Sequence, residues 1–94
     1  MGYSARTLVQ VTSDDDVTEV STTLFSVVLT PDGTNDASVD IVDGAVGVGT
    51  VVLSLESPGT GPSAVWSGAA LLADGVGVDL TGTGAVCSVE FDEN

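Results

Sequence analysis

Fourteen acidic side chains, one arginine, one cysteine, and no lysine or histidine: with this set any chemistry of the 94-residue chain would have to be done. Acid–base catalysis would fall to two carboxylates, one protonated and one ionised, and nothing in the spacing of the fourteen acids singles out a pair. Asp14-Asp15-Asp16 offers hard oxygens of the kind that bind Ca2+ or Mg2+. It lacks the alternating Asp-x-Asp-x-Asp-Gly order and the distal Glu of an EF-hand loop, so it reads as a solvated linker. Cys87 has no second cysteine to pair with, and its place between Val86 and Ser88 in an alternating stretch predicts a buried structural thiol.

Other motifs stop short of a site. Asp74-Gly75-Val76-Gly77-Val78-Asp79 contains the Gly-x-Gly-x-Asp core of calcium-binding β-rolls, but those sites form between stacked repeats and the chain holds one copy. Asp32-Gly33-Thr34 permutes the Asp-Thr-Gly of aspartic proteases, and polar Asn35-Asp36 follows where an apolar strand belongs; a hairpin turn accounts for it. The clusters Gly47-Val48-Gly49, Gly75-Val76-Gly77 and Gly82-Thr83-Gly84 never complete Gly-x-Gly-x-x-Gly, and no strand-to-helix unit follows them. The expectation is therefore no catalytic residue, no cofactor, no metal and no enzymatic activity.

Charge narrows the partners. Neutralising nucleic-acid phosphates requires clustered cations, and Arg6 is the only one in a chain of formal net charge -13, which predicts no nucleic-acid binding. The longest charge-free run, Ser57 to Ala73, is broken by Pro58, Gly59, Gly61, Pro62 and Gly68 and is shorter than the roughly 20 apolar residues of a spanning helix. No membrane segment is expected, and Met1 to Arg6 has no apolar core of a secretory signal.

The elements that would position these residues are strands. Seventeen valines and eleven threonines outweigh the straight-chain helix formers. Alternation predicts strands over Thr7–Thr12, Thr22–Thr30, Ala37–Val42, Thr50–Glu56, Ala64–Ser67, Ala69–Ala73, Val76–Thr81 and Ala85–Phe91. Asp32-Gly33, Asp43-Gly44 and Asp74-Gly75 mark tight turns, as does Thr81-Gly82-Thr83-Gly84, and Pro58 to Pro62 marks a longer loop. The resulting expectation is an all-β fold: a single antiparallel β-sandwich, jelly-roll-like, of about eight short strands at residues 20–94, preceded by an N-terminal arm and acidic linker at residues 1–19. Its inner set would be Phe25, Val27, Leu29, Val39, Ile41, Val51, Leu53, Leu55, Leu71, Val78, Leu80, Val86 and Val89, with Trp66 plugging one end. Such a core is small, and oligomerisation is the usual remedy for small domains without disulfides or metal.

The absence of lysine and the excess of Asp over Glu, ten to four, point to a halophilic setting. At about 1 M salt the screening length falls to roughly 3 Å, and crowded carboxylates stop repelling one another.

The run from Leu24 to Phe91 carries a Val-rich strand into Leu29-Thr30-Pro31-Asp32-Gly33. It continues through Ala37 to Gly44 and Gly49 to Leu55, and closes on Gly75 to Gly84 with Leu80-Thr81-Gly82-Thr83-Gly84. It resembles the small β-sandwich virion proteins encoded beside head genes of tailed viruses, over about three quarters of the chain. The resemblance implies a capsid decoration or cement protein that bridges neighbouring capsomers, located in the virion, with the major capsid protein or other virion proteins as partners and a homotrimer as the favoured state. It also admits a neck, turret or fibre component. The chain departs from that pattern in lacking basic residues, as a haloarchaeal host would produce. Work of this kind is done by buried surface and strand pairing. The residues expected at the interface are Thr7, Leu8, Val9, Gln10 and Val11 as an arm reaching a neighbour, Arg6 pairing with a carboxylate there, and Trp66 as an anchor. The alternative is a glycan- or surface-binding module using the Pro58 to Trp66 loop, although the chain has only Tyr3, Phe25, Trp66 and Phe91 for stacking.

Overall fold

Alternating β-branched residues form a strand in each run bounded by a glycine-bearing turn. The computed structural model describes residues 6–94, which form eight strands and no helix. In chain order they are β1 (Thr7–Val11), β2 (Asp15–Thr18), β3 (Thr22–Thr30), β4 (Ala37–Asp43), β5 (Thr50–Ser57), β6 (Ala64–Leu72), β7 (Val76–Thr81) and β8 (Val86–Glu93). Three turns use Asp-Gly pairs, and Gly33, Gly44 and Gly75 take φ of 95°, 113° and 121°, values an L side chain resists. At Gly75 the constraint is double, because a Cβ there would also run into the carbonyl oxygen of Thr18.

The strands form two four-stranded sheets, ordered β1-β8-β3-β6 and β2-β7-β4-β5, with every pairing antiparallel. Pairing is nested: β4 with β5, β3 with β6, β2 with β7 and β1 with β8. One long hairpin rolled onto itself gives this order, the topology of a jelly roll. The core lies between the sheets, built from Leu24, Val27, Leu29, Cys87, Val89 and Phe91 on one side and Val39, Ile41, Val76 and Val78 on the other. Burying a side chain of this size contributes roughly 1.5–3 kcal/mol.

Four expectations are corrected. First, Asp15–Thr18 is a strand, and within the segment read as arm and linker Thr7–Val11 and Asp15–Thr18 are built into the sandwich: β1 borders one sheet and β2 the other, so no boundary falls at residue 19. Second, Ala64–Ser67 and Ala69–Ala73 are one strand, β6, with an extra residue opposite β3. Third, β3 carries an extra residue against β8 at Phe25, so Leu24 and Val27 both face inward although three apart. Such a bulge shifts the inward phase by one residue. Fourth, Phe25 and Val86 are only half-buried and outside the core cluster, while Val51 and Leu71 are exposed. Leu24, Leu72, Val76, Cys87 and Phe91 fill the core in their place.

Candidate functional site

The residues expected at an interface fall at opposite ends of one sheet. Thr7 to Val11 pair residue by residue with Phe91 to Cys87 of β8, and the other side of β1 is an open sheet edge. Val11 is buried, Val9 half-buried, and Thr7, Leu8 and Gln10 point to solvent. Arg6 also stays within the chain. Its guanidinium nitrogen lies 3.5 Å from Glu90 Oε1, and its carbon lies 3.8 Å above the centre of the Phe25 ring. The ion pair is half-exposed and the stacking is a surface cation–π contact, so together they are worth on the order of 1 kcal/mol. Trp66 sits on β6 at the far edge, half-buried, with its ring against the core. Tyr3 lies outside the described residues.

The second sheet turns carboxylates outward. Asp40 and Asp79 stand directly opposite each other on β4 and β7, a like-charge cross-strand pair. Asp14 adjoins them and donates no relief: its charge, more than any other cause, raises the Asp79 carboxyl above its ordinary value. Other aspartates act as caps. Asp14 accepts from the Leu80 amide at 2.8 Å, Asp16 from Val46 at 2.9 Å, Asp36 from Gly59 at 2.9 Å and Asp43 from Asp74 at 2.8 Å. Asp32 accepts from the amides of Asn35 and Thr34, and these hydrogen bonds hold its carboxyl below the ordinary value. Half of the ten aspartates thus have a local job that the longer Glu does poorly, which gives the Asp excess a structural cause independent of salt.

Two open surface grooves border these acids. One of about 420 Å³ runs past Asp36, Ser38, Glu56 and Thr81, and one of about 500 Å³ past Asp14, Asp15, Asp16 and Glu19. Among the described residues no three His, Cys, Asp or Glu side chains converge as a metal site would require. Cys87 lies in the core, where burial pushes its thiol up to about 11.

One feature escaped the sequence reading: the flank where β5 and β6 meet. β6 pairs only with β3, β5 only with β4, and the two strands contact each other across the open side of the sandwich. Val65 and Leu71 of β6 are 63% and 67% exposed, and Val51 and Val52 of β5 are about half exposed. Leu53, Leu55 and Trp66 touch the core yet remain only partly covered. The signal was the charge-free run Ser57 to Ala73, which says more about an edge than about a membrane.

No protein-family model matches the chain, and neither the curated proteins nor the solved structures give a match.

Proposed function

We propose that the chain is a non-enzymatic structural protein of a virus particle, a decoration or cement protein that associates with copies of itself and with the shell beneath. The observation that carries this reading is the β5–β6 flank: an uncharged edge strand bordered by solvent-facing Val51, Val52, Val65 and Leu71. Large exposed apolar side chains gathered in one region mark protein-contact sites, and these four lie on two neighbouring edge strands. The jelly-roll order is consistent with it, since viral shells use that topology, though lectins do too and the fold alone assigns neither. The carboxylates of the other sheet suit a halophilic setting, where salt screens the Asp40–Asp79–Asp14 repulsion. A glycan-binding role gains no support from the aromatics among the described residues: Phe91 is buried, Phe25 lies under Arg6 and Trp66 leans on the core.

The test is mass spectrometry and electron cryo-microscopy of tailed-virus particles from the organism encoding the chain. The chain should occur in many copies per particle, seated across capsomer seams. Particles free of it would refute the virion assignment.

A further inference from the structure

We infer that the β5–β6 flank docks a second copy of this chain about a two-fold axis, β6 alongside β6, extending the four-stranded sheet into one of eight. This rests on the self-associating part of the reading above and is independent of the virion.

The four sheet edges are not equivalent. β2 is four residues long and carries Asp15 and Asp16, and β5 carries Glu56 and ends at Pro58. Charges and prolines of this sort protect an edge from pairing. β1 and β6 both lack charges and prolines, but β1 has five residues and β6 nine, so the outward amide and carbonyl groups of β6 form the longest unprotected edge.

Charge selects the partner and the symmetry. Between Asp43 and Asp74 the only ionisable side chain is Glu56, so two copies of net charge -13 meet with least repulsion at this flank. Joining β6 of one copy to β1 of the next, as a three-fold ring would, sets the opposite flank with Asp14, Asp15, Asp16 and Glu19 against Val51 and Val52. Desolvating carboxylates against apolar side chains is costly. A two-fold axis avoids this, and replaces the three-fold state that the family resemblance suggested.

Size and register also fit. A standard interface buries about 800 Å² per partner. That area is a modest share of the 5105 Å² surface. Val65 and Leu71 are equidistant from Gly68, so a register centred there sets Val65 against Leu71 of the second copy twice, burying all four.

Sedimentation equilibrium of the full chain, in about 0.15 M and about 1 M NaCl, tests this. A dimer is expected, tighter in high salt, with Trp66 emission moving to the blue as it forms. Val65→Asp and Leu71→Asp should each weaken it by about tenfold or more, whereas Leu8→Asp, on the 66%-exposed position of β1, should leave it intact. Mixed Ser67→Cys and Ala69→Cys chains should cross-link to each other faster than either to itself, which decides the register even if an acidic variant misfolds. An oligomer broken by Leu8→Asp but indifferent to Val65→Asp, or equal self- and mixed cross-linking, overturns the flank while sparing self-association. A monomer at every concentration and salt overturns both.

Discussion

The two sheets present matching apolar faces to each other and opposite characters to water. The sheet of β1, β8, β3 and β6 shows solvent Leu8, Phe25, Val28, Val65 and Leu71, and its strands carry three acids, Glu90, Asp92 and Glu93, all on β8. The sheet of β2, β7, β4 and β5 carries twice as many: Asp15, Asp16, Asp40, Asp43, Glu56 and Asp79. Side-chain period and sheet geometry are the same in both, so the contrast teaches that the outward positions were free to vary. One face suits the association proposed above, and the like charges of the other oppose close approach there.

The largest effect comes from breaking what the faces share. Ile41→Ala in the acidic sheet and Leu29→Ala in the apolar one should each cost about 3 kcal/mol, because both side chains are fully buried in a single core. Urea melts showing one of them harmless would mean the sheets do not share it. Gly75→Ala should cost about 1–3 kcal/mol by straining a positive φ and pushing on Thr18, which loosens β2 from β7. Thr18→Val should cost about 1–2 kcal/mol, since the buried Thr18 hydroxyl accepts from the Val76 amide at 2.9 Å and contacts the Thr22 hydroxyl at 2.8 Å. Thermal melts measure both.

Smaller effects separate the outer faces. Asp79 has its carboxyl raised by Asp14, so its contribution favours the fold below the ordinary value of 3.8 and is lost as pH rises through the raised one. Asp79→Asn should therefore raise the melting temperature at neutral pH and low salt, with the gain shrinking toward molar NaCl and below pH 3.8. An unchanged midpoint at low salt would mean that Asp40 and Asp14 do not burden it. On the apolar face, Leu71→Ser should move monomer stability by no more than about 0.5 kcal/mol, since Leu71 is exposed.

Much of this was legible in the sequence. The Asp-Gly pairs fixed three turns, and valine alternation gave the class of fold and seven of the eight strands in outline. β2 was not legible because Asp15-Asp16-Val17-Thr18 offers one apolar side chain; its pairing with β7 is held instead by the Asp14 cap on Leu80 and by Thr18. The bulges at Phe25 and near Gly68 were invisible too, since an inserted residue leaves composition unchanged while shifting which neighbours face inward. Leu71 and Val51 look like core by hydrophobicity alone, and only their place on edge strands leaves them in water. Arg6 was expected to pair with a carboxylate of a neighbour, and the carboxylate beside it in the fold is Glu90 of its own chain.

Burial of Cys87 gives the molecule a built-in clock. The thiol is fully buried in the core between the two sheets, so a sulfhydryl reagent reaches it only after that core opens. Its labelling rate then counts openings of the space between the sheets, one event per modified chain, at any salt concentration and with no residue replaced.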